Sequence, residues 1–453
     1  MSGSPAARVA IVGGGLAGIA AAVALAETGC AVTLYEARPR LGGAAHSFTR
    51  GGLTADNGQH VFLRCCTAYR GLLDRIGVAD RVRLQDRFDV RVLTPRGRTG
   101  RLRRAALPGP FQLMPALATY SLLGAADRLR VMRASLALAR LDPGDAALDR
   151  IDLASWLAAH GQRGPARRAL WGLFTVAALN ADIEEAALGA AAMVFKTALL
   201  GRADAADIGV PTVPLGELHD TAARAAIRRG GGEIRLSAKV TAIAPGPTVV
   251  VDGVGVPASA VIVATPHQQA AKLLPPQAAP DRDRWSGLSA SPIVNVHAVY
   301  DRPVTDMPFA AVVDSPVQWV FDKTRAAGLD EGQYLAVSLS AAGRWIDVPA
   351  AGIRAEFVPA LEQLFPRARR ATLRDFFVTR ERRATFRQAP GSGALRPAAV
   401  TRWPGVYLAG AWTDTGWPDT MEGAVRSGLH AARLVRRELR QGTGRDPRQG
   451  AAS

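Results

Sequence analysis

Residues 9–36 constrain the fold more than any other part of the chain. Val9-Ala10-Ile11-Val12 is apolar throughout, as expected of a strand buried on both faces of a parallel sheet. Gly13-Gly14-Gly15-Leu16-Ala17-Gly18 follows at once with GxGxxG spacing. Residues 19–28 form an alanine-rich helix, and Gly29 is placed to end it. Residues 31–35 read as a second strand with Glu36 at its end. This is a βαβ dinucleotide-binding fingerprint. Gly13 permits the tight turn, Gly15 lets the backbone approach a pyrophosphate, and Gly18 lets helix and strand pack closely. The helix start at Leu16 and Ala17 offers free N–H groups and a partial positive charge to phosphate. Glu36 is placed to accept hydrogen bonds from ribose hydroxyls.

The remaining composition narrows the class. The chain has 453 residues, 48% hydrophobic and 21% charged, which excludes a disordered or fibrous polymer and is enough for more than one domain. No run of about 18 uncharged apolar residues suggests a bilayer span, and no secretory signal is visible, so a cytoplasmic location is expected. Cys30, Cys65 and Cys66 cannot build a disulfide framework, and no CxxC pair suggests dithiol chemistry. No metal is expected. The net charge of +17 is nearly all arginine, since lysine occurs only at 196, 239, 272 and 323. Arginine-rich composition explains it first and attraction to anionic lipid second. Zinc-finger spacing and aromatic RNA-binding motifs are absent, so no nucleic acid partner is expected. Gly230-Gly231-Gly232 follows a helical stretch and reads as a helix stop, so a second dinucleotide domain is not expected.

Further along, residues 67–76 read as a helix, 87–104 as a hairpin turning at 95–97, and 111–140 as a helical region, strongly apolar at first. Helices are also expected over 151–160, 167–179 and 215–229, and strands over 233–236, 239–243, 260–264, 293–300 and 334–339. Residues 405–410 return to the nucleotide-binding pattern, and Met421 opens a helix running to about 440. The residues after 440 read as a flexible tail.

Several segments carry a resemblance. Ala37-Arg38-Pro39-Arg40-Leu41-Gly42-Gly43 continues Glu36 into a second glycine pair, at the spacing of FAD enzymes of the amine oxidase and phytoene desaturase superfamily. Asp56-Asn57-Gly58-Gln59-His60, Ser291-Pro292-Ile293-Val294-Asn295-Val296-His297 and the long stretch from Trp412 to Gly428 are more specific. In these the chain resembles the squalene-associated FAD-dependent desaturases, the hydroxysqualene dehydroxylases, from Val9 to about Arg440. Two positions depart from the pattern. Ala44 stands where many relatives carry a phosphate-contacting Arg, and Ala411 where many carry an Asp near the ribityl chain.

The resemblance implies an α/β fold: a Rossmann-like FAD-binding domain of the amine oxidase and glutathione reductase-like type, with an interleaved α+β substrate domain. The FAD domain would comprise residues 1–85, 205–275 and 398–440. The substrate and membrane-facing domain would comprise 86–204 and 276–397, leaving 441–453 as tail. Non-covalent FAD would be held by Gly13, Gly15, Leu16, Ala17, Gly18, Glu36, Ala37, Arg38, Gly42, Gly43, Val240, Gly410, Met421, Glu422 and Ala424. The implied reaction is reductive loss of the hydroxyl of hydroxysqualene, which needs a proton for the leaving oxygen and a hydride from reduced flavin. His60 and Asp414 are candidate acids, with Asp419 set against a helix-capping role. Trp412 and Trp417 are candidate cation-stabilising faces, set against plain core packing. The electron donor is unspecified.

A hydrophobic prenyl substrate implies peripheral contact with the inner face of the membrane. Arg96, Arg98, Arg101, Arg103 and Arg104 ahead of the apolar stretch 105–123 would form the anchor. A carotenoid-type desaturase, an amine oxidase and a non-catalytic FAD-binding protein are the alternatives. The amine oxidases place a lysine in a strand matching 292–300, where this chain has Asn295.

Overall fold

The computed structural model describes residues 7–443. A five-stranded parallel sheet runs in the order Glu233–Arg235, Ala31–Tyr35, Arg8–Val12, Ala260–Val263, Val406–Leu408. The first strand lies at its centre, and its alternate residues enter two different cores. Val9 and Ile11 pack with helices Leu16–Ala26, Thr67–Ile76, Ala223–Arg229 and Met421–Thr443. Ala10 and Val12 pack on the other face with the antiparallel strands Val240–Ala244 and Thr248–Val251 and helix His267–Leu273. A sheet covered on both faces needs apolar residues at every position, which explains the unbroken apolar run of this strand.

Close packing here depends on missing side chains. A Cβ on Gly18 would stand 1.9 Å from the Gly13 carbonyl oxygen, and one on Gly428 would stand 2.0 Å from that of Ala17. The first contact seats the opening helix on its strand. The second lets the C-terminal helix lie along it.

A seven-stranded sheet forms the other half. Its order is Leu373–Phe386, Ala290–Tyr300, Gln333–Leu339, Trp319–Asp322, Phe309–Val312, Asp89–Leu93, Thr99–Arg103. All neighbours are antiparallel except Phe309–Val312 beside Asp89–Leu93. Helices between residues 114 and 200 pack with Val90, Val92, Phe309 and Phe321, while Val294, Val296 and helix Ala350–Leu364 share a separate core.

The hairpin of residues 87–104 forms as read. The helical region 111–140 does not form one piece. A short helix, Met114–Ala118, is followed by a break and then by Ala125–Ala139. At the break Tyr120 is fully buried and donates its hydroxyl proton to the Ala169 carbonyl, so tertiary packing overrides the helical propensity. Of the tail expected from residue 441, residues 441–443 continue the last helix; the remainder lies outside the described residues.

Asp207 ties the segments that join the two sheets. Its side chain has no exposure, and it accepts from Arg64 Nε (3.0 Å), Arg104 Nε (2.7 Å) and the Phe88 N–H (2.7 Å). Removing one partner of such a cluster leaves the others uncompensated. Asp207→Ala is expected to lower unfolding free energy by about 3–5 kcal/mol, read as the shift in a urea denaturation curve.

Candidate active site

The glycine-rich turn is shaped to receive phosphate. Gly13 has φ +109°, a conformation that favours glycine, and its N–H donates to the Tyr35 carbonyl. A Cβ at Gly15 would meet nothing within 4 Å, so this residue faces open space. No side chain caps helix Leu16–Ala26, which leaves its first N–H groups to a ligand. Leu16 and Ala17 themselves are buried. Glu36 turns back beside the loop: Oε2 accepts from the Gly14 N–H at 2.6 Å and Oε1 from the Arg38 N–H at 2.8 Å. Ala37 and Arg38 are exposed.

The second glycine pair lies directly against the first turn. Gly42 and Gly43 both have positive φ, and a Cβ on Gly43 would be 2.9 Å from Gly15 Cα. The chain then passes into 44–60. Asn57 fastens the two ends of this stretch, donating from Nδ2 to the Ala44 carbonyl and accepting at Oδ1 from the His46 N–H. Asp56 is buried. It pairs with buried Lys323 at 3.1 Å and accepts from Ser47 Oγ and the Leu215 N–H.

A hydrogen-bond relay reaches Asn57 from the seven-stranded sheet. Asn295 Nδ2 donates to the Asn57 carbonyl at 3.0 Å, and Thr379 Oγ1 donates to the same oxygen at 3.4 Å. His297 lies between Thr379 Oγ1 (3.0 Å) and the Tyr334 hydroxyl (2.6 Å). His60 Nδ1 is 3.0 Å from the Gly58 carbonyl, so Nδ1 carries the proton and Nε2 the lone pair. Burial pushes His60 down from its ordinary pKa, so the ring is a neutral group and not a standing acid. Burial likewise takes His297 to about 3 and His219 to about 4. His219 donates from Nδ1 to the Ala45 carbonyl and accepts at Nε2 from the Tyr69 hydroxyl. Lys323, Tyr69, His219, Thr379 and Tyr334 escape sequence reasoning. They converge from separate elements, and no local spacing links them.

The C-terminal stretch sorts its candidates differently from the sequence reading. Trp412 is buried, donates from Nε1 to the Thr265 carbonyl at 2.9 Å, and packs 4.9 Å from the Trp285 ring. These contacts fit the core-packing role set against its candidacy as a cation-stabilising face. One face of Trp417 is covered by the Arg426 guanidinium, 4.5 Å from the ring centroid, so that face already serves a cation of the protein. Asp414 is exposed and accepts a long bond from the Gly416 N–H.

The Glu422 side chain is turned away from the cofactor-binding role expected of its segment. It is fully buried and accepts from the N–H groups of Ala68 (3.0 Å) and Tyr69 (2.7 Å) and from Arg426 Nε (2.7 Å). The carboxylate therefore caps helix Thr67–Ile76 from a distant part of the chain, and only the backbone of Glu422 is left for a cofactor. Gly410 has φ +139° and donates its N–H to Ser427 Oγ at 2.6 Å. Met421 and Ala424 lie half-exposed in the first turn of the last helix. Val240 is buried where the strand Val240–Ala244 starts.

The parallel sheet and the glycine turns define a dinucleotide-binding protein. Residues 16–436 match the model of the flavin containing amine oxidoreductases, and the chain belongs to that family. It is 30% identical over 444 residues to a hydroxysqualene dehydroxylase of Rhodopseudomonas palustris, covering 94% of this chain and 98% of that one. It is 26% identical to a zeta-carotene desaturase of Synechocystis, covering 94% and 97%. Among solved structures, the cyclohexylamine oxidase of Brevibacterium oxydans superposes with a TM-score of 0.74 at 23% identity, over 96% of this chain and 100% of that one. The protein is an FAD-dependent oxidoreductase. The open face of Gly15, the uncapped helix behind it and the carboxylate of Glu36 fit the cofactor.

Asp419, like Asp182, is a carboxylate whose affinity for a proton the structure raises. Burial pushes its pKa up to about 6, opposed by the Phe386 N–H that donates to Oδ2 at 2.8 Å and by the nearby Arg396. Between pH 4 and 6 the folded protein then holds a proton at this site that the unfolded chain has lost. Stability from Asp419 is full below about pH 4 and falls as pH rises through 6. The buried histidines act in the opposite sense, losing stability as pH falls below their ordinary value. In Asp419→Asn the falling contribution is removed. Denaturation curves between pH 4 and 7 are expected to show stability rising more steeply with pH than in the wild type; an unchanged slope contradicts the assignment.

Proposed function

We propose that the protein converts hydroxysqualene to squalene. The observation that carries this reading is the end-to-end match to proteins named for that activity. Relatives from Rhodopseudomonas palustris, Sinorhizobium fredii and Zymomonas mobilis are 28–30% identical, each over 94% of this chain and 98% of its own length. Within this reading, residues 1–85, 205–275 and 398–440 hold FAD, and 86–204 and 276–397 hold the substrate. Gly13, Gly15 and Gly18 with Glu36 bind the adenosine diphosphate part, and Gly42 and Gly43 close over it.

Hydroxide leaves poorly, so the substrate oxygen needs a proton. Asp419 is the group best suited to hold it near neutral pH, because Asp414 is exposed and His60 is neutral. Reduced FAD, when bound, supplies the hydride that replaces the hydroxyl. The amine oxidase alternative is disfavoured by the absence of lysine from the strand Ala290–Tyr300. The carotene desaturase alternative runs hydride in the other direction, toward oxidised flavin. Mixing dithionite-reduced enzyme with hydroxysqualene under anaerobic conditions is expected to return the flavin to its oxidised spectrum and yield squalene, with Asp419→Asn at least about tenfold slower. A flavin that stays reduced overturns the proposal.

The substrate must be drawn from lipid, and we place the contact on a surface that only partly overlaps the one expected. Arg101 and Arg103 pair with Asp89, and Arg104 with Asp207, while Leu117, Tyr120 and Leu123 are core residues. That leaves little of the basic–apolar anchor. The helix Ala125–Ala139 instead exposes Leu129, Arg133 and Leu136 on one stripe, continued by Arg140, and exposed Leu107 and Phe111 lie in the segment before it. Apolar and cationic residues on one stripe suit an anionic bilayer surface. Among the described residues no helix is long and apolar enough to cross a membrane. Flotation with phosphatidylglycerol vesicles at low salt is expected to carry the wild type and not a Leu129→Glu, Leu136→Glu double variant. Failure of the wild type to float at any salt concentration removes this contact.

A further inference from the structure

We propose that Asn295 binds the oxygen of the substrate, its Oδ1 accepting a hydrogen bond from the hydroxyl of a prenyl alcohol. This rests on the reading of the protein as acting on such an alcohol.

Asn295 has no exposed surface and lies in the middle of Ala290–Tyr300, with paired strands on either side, opposite Ser338 and Thr379. Its neighbours Val294 and Val296 enter the apolar core under helix Ala350–Leu364. By strand alternation, Asn295 and His297 face the other way, onto the 57–60 segment. The amide orientation is set by its partner. Nδ2 donates to the Asn57 carbonyl, and a flipped amide would set oxygen against oxygen there. Oδ1 is thus directed elsewhere, and it has no hydrogen-bond partner among the described residues.

An unpaired buried acceptor is costly, and a hydrocarbon does nothing to relieve it. A hydroxyl proton does. The space beside the amide is kept by Gly58. A Cβ there would be 3.1 Å from Asn295 Nδ2, 3.6 Å from Oδ1 and 3.6 Å from His60 Cε1. The Gly58 backbone therefore lies against the amide and the imidazole together. The same segment is fastened through Asn57 to Ala44 and His46, next to the glycine pair that lies on the phosphate turn. Asn295 thus stands in the layer between the cofactor-binding turns and the substrate-side sheet.

The test is binding without turnover. Oxidised holoenzyme is titrated anaerobically with hydroxysqualene and with squalene, following the perturbation of the flavin spectrum. The wild type is expected to bind the alcohol about tenfold or more tighter than the hydrocarbon. Asn295→Leu is expected to bring that ratio near one while leaving flavin content and squalene affinity in place. Gly58→Ala, which narrows the approach to Oδ1 and keeps Asn295, is expected to lower the same ratio, and it decides the matter if the leucine variant fails to fold. A wild type that does not distinguish alcohol from hydrocarbon overturns the prenyl-alcohol reading and this assignment with it. A wild type that does distinguish them, with the full ratio retained in the folded variants, leaves that reading standing and removes Asn295 from it.

Discussion

Two turns without side chains rest on each other, and the remaining site depends on that contact. Gly43 meets Gly15 Cα at a distance no Cβ tolerates, and Gly18 meets the Gly13 carbonyl in the same way. Backbone against backbone leaves little freedom, so the second glycine pair is located by the first. From there the chain has one route into 44–60. Asn57 closes that route, and the substrate-side sheet meets the cofactor-binding turns through its carbonyl. The position of His60 follows from these glycine turns, while Asn295 is placed by its own sheet and meets the segment through the Asn57 carbonyl.

The buried polar groups follow from this arrangement. A layer between two sheets excludes water, so most polar groups in it are paired, and the Asn295 Oδ1 stands out for lacking a partner among the described residues. Asp56 and Lys323 find each other, His219 bridges Ala45 and Tyr69, and His297 bridges Thr379 and Tyr334. These imidazoles are held neutral by desolvation and by fixed donors and acceptors. They position the segment and do not hold protons for transfer. Asp419 differs, because burial acts on a carboxyl group in the opposite sense and raises its affinity for a proton.

Much of the parallel-sheet half was legible in the sequence because its signals are local. An apolar strand, a glycine turn, an alanine-rich helix and an acidic strand end lie within 28 consecutive residues, 9–36. Helix Thr67–Ile76 and the hairpin of 87–104 were readable for the same reason. The roles of single residues in the C-terminal stretch were not. Glu422 reads as a cofactor residue until its partners, Ala68 and Tyr69, are known, and they lie about 350 positions away. Trp412 reads as a reactive face until Trp285 and Thr265 are placed against it. Asn295 shows its unpaired oxygen only once Asn57 is seen to take its nitrogen.

Spatial order and synthetic order disagree in this molecule. The opening helix, Leu16–Ala26, is covered by Met421–Thr443, whose Val425, Ala431, Ala432 and Val435 complete its core. A ribosome delivers these residues about 400 positions after that helix. Until then the nascent protein carries an apolar helix face and a sheet lacking its final edge strand, Val406–Leu408. The cofactor-binding half cannot close until residues 421–443 have emerged, and helix Leu16–Ala26 waits, partly uncovered, until then.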